Sequence, residues 1–290
     1  MEKTKILAHR GLEPSNSDFY PESSFEAFQS HLSRGFGIEF DINFARDGII
    51  ILHDSDLGRI TDGKDNRKVA EVGVGELKNM QFGKVAKGRF IDFEEILNLI
   101  RGGAAEINAL HLKGKFQEKQ YLDKMLSELN KNKDVLKKII IFDVKPETAK
   151  YLKSKIKELN LAPSVAHSYD IKRYNTKAIN FTLISIEDAV KYAKEGLYNW
   201  VWFDEWDRID EGGEKKTYTK ENFEILKKAG LKIALVTPEL HATSPSLPCG
   251  ESHGDAKDKE TLFKRILEIL SLHPDAICTD YPEEAKGFVG

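Results

Sequence analysis

The chain of 290 residues has little of what marks several protein classes. Its two cysteines, Cys249 and Cys278, are too few and too far apart for a disulfide framework or a four-thiolate zinc site. No apolar run approaches the roughly 20 residues that span a bilayer. His9 and Arg10 interrupt the apolar stretch near the start before it reaches the length of a signal-peptide core. We therefore expect no transmembrane segment and a cytoplasmic location.

The sequence also lacks an excess of basic residues. Lysine and arginine number 44 against 47 aspartate and glutamate residues, which gives a formal net charge of -3. Proteins that bind nucleic-acid backbones usually carry a basic surplus, so a role on nucleic acid is disfavoured. The hydrophobic share of 40% is sufficient for a folded domain with a sizeable core. The oligomeric state cannot be read from these features.

What the sequence does contain is a repeated alternation of short apolar segments and longer amphipathic ones. The short segments are rich in β-branched residues and predict strands, and the longer ones have helical spacing. Repeated βα units indicate a parallel sheet, so we predict a single β/α barrel of the TIM type over residues 1–290. The nine predicted strands are residues 5–9, 37–42, 48–53, 107–113, 138–143, 164–168, 199–204, 232–237 and 275–280.

Nine strands is one more than such a barrel needs. The connection over residues 42–48 is too short for a helix, so the third strand is either an irregular barrel edge or half of a hairpin. Residues 54–88 are polar and rich in glycine and lysine, and they predict a small insertion or lid with a short helix near residues 75–80. Residues 241–257 predict a second polar loop.

Polar side chains cluster at the ends of the first four predicted strands. In a β/α barrel the loops that follow the strands build the active-site face. We therefore expect these side chains to meet at one end of the barrel. They are His9, Arg10, Glu39, Asp41, His53, His111 and Lys113.

Two of these residues, Glu39 and Asp41, are two positions apart on one strand and therefore point to the same side. Two carboxylates buried together repel each other, and a hard divalent cation such as Mg²⁺ or Ca²⁺ is a common remedy. The alternative is that they form ion pairs with Arg10 or Lys113. The spacing alone leaves both interpretations open.

His9 and His53 each follow an apolar strand, and imidazole can take or give a proton near neutral pH. Together they suggest an acid/base pair, although either one alone is more often a hydrogen-bonded structural residue. Arg10 adds a planar cation suited to phosphate.

Trp202 and Asp204 alternate along a later predicted strand. They could line the pocket, with the indole helping to hold a choline-type cation. The alternative is that the tryptophan packs in the core and Asp204 caps the next segment.

Several short motifs occur in an order that resembles the glycerophosphodiester phosphodiesterase family. The resemblance is strong over residues 5–80 and 275–283 and weak between them. The motifs that carry it are His9-Arg10-Gly11, Pro21-Glu22-Ser23-Ser24, Glu39-Phe40-Asp41, Arg46-Asp47-Gly48, His53-Asp54, Arg59-Ile60-Thr61 and the closing Thr279-Asp280-Tyr281-Pro282.

The resemblance implies metal-dependent hydrolysis of a small-molecule glycerophosphodiester to glycerol 3-phosphate and an alcohol. It further implies that His9 and His53 act as general acid and base, without saying which does which. One divalent ion would be held by Glu39, Asp41 and the residue at position 111, and Arg10 and Lys113 would offset the phosphate charge.

One departure from the family pattern affects the expected metal site. The family usually has Glu-x-Lys on the fourth strand, whereas this chain has His111-Leu112-Lys113. An imidazole ligand suits transition metals better than Mg²⁺ or Ca²⁺, and His111 could instead hydrogen-bond a ligand carboxylate or water. Two alternatives therefore stay open. The first is a related phosphodiesterase of the sphingomyelinase D-like or lysophospholipase D-like kind, and the second is a non-catalytic barrel that binds a phosphorylated metabolite.

Overall fold

Strands alternate with helices along the computed structural model, which describes residues 3–83, 87–175, 181–205, 209–210, 213–214, 216–240, 256 and 258–289. The strands are β1 (Lys5–Ala8), β2 (Gly37–Phe44), β3 (Ile49–Ile51), β4 (Asn108–His111), β5 (Ile139–Phe142), β6 (Asn160–Leu161), β7 (Ser164–Val165), β8 (Leu183–Ile184), β9 (Trp200–Phe203), β10 (Ile209–Asp210), β11 (Gly213–Glu214), β12 (Lys232–Val236) and β13 (Ala276–Thr279). The helices are α1 (Phe25–Ser33), α2 (Val74–Lys78), α3 (Phe93–Gly102), α4 (Lys119–Lys131), α5 (Pro146–Lys155), α6 (Ser168–Tyr174), α7 (Ile186–Lys194), α8 (Lys220–Lys228), α9 (Lys259–Leu270) and α10 (Pro282–Val289).

Eight strand positions follow one another around the barrel wall within the described residues. β1 lies between β2 and β13, and the wall continues through β4 and β5 on one side and through β12 and β9 on the other. Residues 160–165 join the two sides, because β6 pairs with β5 and β7 pairs with β9. All of these pairs are parallel, so the predicted TIM-type barrel is confirmed.

The joining segment is interrupted at Pro163, which has no backbone N–H to donate. The Ala162 N–H still donates to the Ile141 carbonyl at 2.9 Å, and the Pro163 carbonyl accepts from the Trp202 N–H at 3.0 Å. The sequence predicted one strand over residues 164–168, whereas the regular strand here covers only Ser164–Val165. The wall is therefore irregular at this position.

The third predicted strand is not part of the barrel wall. β3 pairs antiparallel with β2, with Ile42 opposite Ile51, and the Ala45 N–H donates to the Gly48 carbonyl at 2.9 Å across the turn. The segment is therefore half of a hairpin, which was one of the two interpretations left open by the sequence. With β3 assigned to the hairpin, the excess of one strand disappears.

Side chains of the wall alternate between two apolar layers. Along β2, Ile38, Phe40 and Ile42 belong to the large cluster that packs against the helices, whereas Glu39 and Asp41 belong to the opposite face and are also buried. A second cluster fills the barrel interior with small and large side chains, among them Leu7, Ala109, Ile140, Trp200, Trp202, Ala234, Ala276 and Cys278. This alternation is what brings the two carboxylates inside the barrel.

The segment predicted as an insertion has an apolar cluster of its own. Leu57, Ile60 and Leu77 are buried there beside Phe82, whose ring stacks on Phe90 with centroids 4.5 Å apart. The short helix expected near residues 75–80 is present as α2.

Apart from Ala256, the loop predicted over residues 241–257 lies outside the described residues. Within the described chain, we find no helix whose length and hydrophobicity would allow it to cross a membrane.

Candidate active site

A cleft of about 540 Å³ opens at the carboxyl ends of the barrel strands. Eight of the nine residues predicted for the site line it, and the ninth, Asp41, is fully buried and contacts three of them. The structure therefore brings all of the predicted residues together. The eight are His9, Arg10, Glu39, His53, His111, Lys113, Trp202 and Asp204.

The turn after β1 explains the order of the His-Arg-Gly motif. Arg10 has a left-handed φ of 50°, which lets its backbone N–H donate to Glu39 Oε2 at 3.1 Å. Gly11 follows with φ of 73°, and a Cβ there would lie 3.2 Å from both Ala27 and Phe28. Glycine is favoured at such a position because it lacks a Cβ. The turn leaves His9 at the mouth of the barrel.

Glu39, Asp41 and His111 form one group that could hold a cation, with their ligand atoms all within 4.8 Å of one another. Burial and the charge of Asp41 raise the pKa of Glu39. Burial acts in the same direction on Asp41, but Lys113, His53 and His111 outweigh it and hold the pKa of Asp41 well below its usual range. Nearby charges therefore stabilise the ionised form of Asp41 more than that of Glu39.

Cations surround Asp41 in the described structure. Its carboxylate lies 2.9 Å from His111 Nδ1, 3.2 Å from Lys113 Nζ and 3.6 Å from Arg10 Nε. The ion pairs that were one interpretation of the sequence are therefore present, and they involve the same residues as the group that could hold a cation.

His9 lies between two carboxylates that the sequence analysis did not assign to the site. Its Nδ1 is 2.8 Å from Asp280 Oδ1 and 3.3 Å from Glu239 Oε1. Burial lowers the pKa of His9, but Glu239 and the hydrogen bond with Asp280 outweigh it and raise this pKa to about 10. These three residues form a second group whose ligand atoms lie within 4.8 Å of one another.

His53 is held in a different way. Its Nδ1 lies 2.7 Å from Asp54 Oδ1, and Arg59 Nε donates to the other oxygen of Asp54 at 2.5 Å. Arg59 also pairs with the buried Glu22. Burial lowers the pKa of His53, even though Asp41 and Asp54 act to raise it. Lys113 Nζ donates to the His53 carbonyl, which fixes the backbone at this position.

Trp202 packs in the barrel interior and shows only a small edge to the cleft. Its ring stacks on Phe142 with centroids 3.7 Å apart. The ring of His111 also stacks on Phe142, with centroids 4.6 Å apart. Asp204, two residues further along the chain, is buried at the cleft wall. Asp143 also lines the cleft and was not predicted, although it directly follows β5 at the carboxyl end of the barrel.

A sequence model described as "Glycerophosphoryl diester phosphodiesterase family" matches residues 9–284. No curated protein matches the chain in a sequence search.

Several solved structures are similar over nearly the whole chain. A Galdieria sulphuraria protein is 19% identical with a TM-score of 0.68, and the match covers 99% of this chain and 97% of that one. A glycerophosphoryl diester phosphodiesterase from Parabacteroides distasonis is 18% identical with a TM-score of 0.65, covering 99% and 86%. An Oleispira antarctica phosphodiesterase in complex with the product sn-glycerol-3-phosphate is 16% identical with a TM-score of 0.64, covering 99% and 97%.

At these identities the solved structures support the barrel fold, and the family is established by the match over residues 9–284. The chain therefore belongs to the glycerophosphoryl diester phosphodiesterase family and is a phosphodiesterase enzyme.

Proposed function

We propose that the chain hydrolyses glycerophosphodiesters to glycerol 3-phosphate and an alcohol, with one divalent metal ion and with His9 and His53 as the proton-transfer groups. The observation that carries this proposal is the cleft itself, where two histidines, a carboxylate pair and two cations converge at the carboxyl ends of the strands. The product complex of the Oleispira antarctica relative supports the choice of substrate class.

Glu39, Asp41 and His111 suit a divalent ion, because their ligand atoms are already close and the burial of two carboxylates together favours a cation between them. A divalent ion bound there would supply charge stabilisation to a phosphoryl oxygen. A carboxylate pair alone suits Mg²⁺ or Ca²⁺, whereas the imidazole of His111 favours a transition metal.

Arg10 and Lys113 are the fixed cations of the proposed phosphate site. Both line the cleft and both contact Asp41, which holds their charged ends in place. Preorganised cations stabilise the negative charge that develops on the phosphoryl oxygens during transfer. Arg10 offers a planar fork of donors, and Lys113 offers a compact point charge.

His53 and His9 divide the proton transfers in this proposal. His53 has a lowered pKa, so near neutral pH its ring is uncharged and can accept a proton from the neighbouring glycerol hydroxyl as that oxygen attacks phosphorus. The alcohol then leaves, and water opens the resulting cyclic phosphate to glycerol 3-phosphate. His9 has a raised pKa of about 10, so it keeps its proton and can donate it to the leaving alcohol oxygen. The neighbours Glu239 and Asp280 then stabilise the charged form of His9 before the transfer.

We also propose that residues 1–290 form one domain and that residues 54–88 build one wall of the cleft. Asp54, Ser55 and Asp56 line the cleft at the start of this segment. Its apolar cluster is continuous with Ile50 and Leu52, which belong to or directly follow β3.

The proposal can be tested by measuring glycerol 3-phosphate release from glycerophosphocholine across Mg²⁺, Ca²⁺, Mn²⁺ and Zn²⁺. His9→Ala and His53→Ala should each lower turnover by about 10²–10⁴, which is typical of general acid/base groups. His273→Ala, at the opposite end of the barrel, is the matched control and should be unaffected.

Near-native turnover by either cleft variant would remove that histidine from the mechanism. A generic aryl phosphodiester and a lysophospholipid should be assayed in parallel. Faster turnover of the lysophospholipid would favour the lysophospholipase D-like alternative, and the absence of any turnover would favour the binding-only barrel.

A further inference from the structure

His111 lies between two carboxylates, one on each ring nitrogen. Nδ1 is 2.9 Å from Asp41 Oδ1, and Nε2 is 3.5 Å from Asp143 Oδ2. The plane of the ring is set by Phe142, which stacks on it with an interplanar angle of 10°. Since the stack fixes the plane and the carboxylates fix the rotation, each nitrogen has a defined direction. Nδ1 faces the group of Glu39 and Asp41, and Nε2 faces away from it.

Asp143 is held in its position by an unusual backbone conformation. Its φ is 64°, in the left-handed region, where aspartate and asparagine occur more often than most residues. Gln117 fixes this conformation, because its amide donates to the Asp143 carbonyl at 2.5 Å and to the Leu112 carbonyl at 3.0 Å. The Lys145 N–H donates to Gln117 Oε1 at 3.0 Å. Such strained positions persist when surrounding contacts over-determine them, and they concentrate at functional sites.

We propose that Asp143 is the positioning residue for His111: it accepts the Nε2 proton, so that Nδ1 is the nitrogen that ligates the metal. Histidine ligands commonly donate their other N–H to a carboxylate in this way. With a metal on Nδ1, His111 would be a neutral imidazole whose one proton lies on Nε2, and the unit of Asp143 and His111 would carry the charge of one carboxylate, which is what a glutamate at position 111 would provide. This inference rests on the metal site in the proposed function.

The test is a titration with Mn²⁺, followed by the EPR signal of the free ion, so that binding is measured without turnover. Asp143→Asn should weaken Mn²⁺ binding by about 10–100-fold, the usual effect of removing such a partner. Asparagine tolerates the same left-handed backbone, so the fold is kept. Asp143→Gly, which also adopts this backbone, should weaken binding similarly. Glu106→Gln removes a carboxylate at the opposite end of the barrel and should leave the affinity unchanged.

A second background separates positioning from a general structural effect. In His111→Glu, position 111 has no N–H for Asp143 to accept, so adding Asp143→Asn should change Mn²⁺ binding by much less than the loss expected with His111. The same loss in both backgrounds would overturn the positioning role. Asp143 variants that both bind Mn²⁺ as tightly as the wild type would also overturn it. A wild-type protein that binds no Mn²⁺ would instead refute the proposed metal site itself.

Discussion

At the scale of single residues, His9 and His53 face one cleft with opposite preferences for a proton. Glu239 and Asp280 outweigh burial and raise the pKa of His9 to about 10, whereas burial prevails at His53 and lowers its pKa. Arg10 acts to lower both pKa values. Near neutral pH, one imidazole is therefore charged and the other neutral, which is the combination that concerted proton transfer requires.

This difference predicts a bell-shaped dependence of kcat/KM on pH. Activity should fall on the acid side as His53 gains a proton, at a pH below 6.5, the ordinary pKa of histidine. It should fall on the alkaline side as His9 loses its proton near pH 10. Glu239→Gln removes a charge that raises the pKa of His9, so the alkaline limb should move to lower pH. Glu106→Gln, at the opposite end of the barrel, is the control and should leave both limbs in place. An alkaline limb that Glu239→Gln leaves in place would disprove the assignment of His9 as the acid.

Most of the candidate site could be predicted from the sequence because its residues stand in short motifs at strand ends. Glu39 and Asp41 are an example, since a period of two fixes their common direction. Asp143 also stands at a strand end, but it has no neighbouring motif, and only the contact with His111 gives it a role. Glu239 lies three residues beyond β12, where no periodicity predicts the direction of a side chain.

At the scale of elements, the segment over residues 54–88 is joined to the barrel by packing and by charge. Its cluster includes Ile50 and Leu52 next to the barrel wall, and Arg59 pairs with Glu22 in the loop before α1. Both connections are buried or partly buried, so unfolding of the segment exposes surfaces that the barrel also uses. The segment is therefore expected to unfold together with the barrel.

Ile60→Ala tests this coupling. Ile60 is fully buried in the cluster of the segment, and removing such a side chain lowers the free energy of unfolding by about 2–5 kcal/mol. The loss should appear in one cooperative transition during chemical denaturation. Leu267→Ala, at a 48% exposed position of α9, should change the free energy of unfolding by less than about 0.5 kcal/mol. Two separate transitions would contradict a single domain.

The strands themselves were predictable, but two details of their pairing were not. The hairpin of β2 and β3 has the same apolar composition as a barrel strand, so composition alone could not assign it. The joining segment of residues 160–165 has only short strands, because Pro163 interrupts its hydrogen-bond ladder. Its two halves, β6 and β7, pair with different neighbours. Pairing of this kind depends on distant residues, which a local pattern does not contain.

At the scale of the whole molecule, the barrel interior is apolar over most of its length and charged at the carboxyl end. Small and large apolar side chains fill the interior, and buried Glu39 and Asp41 lie at the cleft. Sites that bind charged groups often reduce stability when their ligand is absent. The raised pKa of Glu39 is consistent with such a cost. Because this carboxyl resists ionisation in the folded state, it lowers the free energy of unfolding once the pH exceeds its pKa in the unfolded chain.

Glu39→Gln should therefore change the stability of the whole protein in opposite directions with and without metal. In a chelator near neutral pH, the variant should have a higher Tm than the wild type, because the repulsion with Asp41 is gone. With metal at 100 times Kd, the wild type gains about 2.7 kcal/mol from binding, and the variant should lose most of that gain. The order of the two Tm values should then reverse. Glu106→Gln, at an exposed position beyond the other end of the barrel, should follow the wild type in both conditions. If metal raises the Tm of wild type and Glu39→Gln equally, Glu39 is not a ligand.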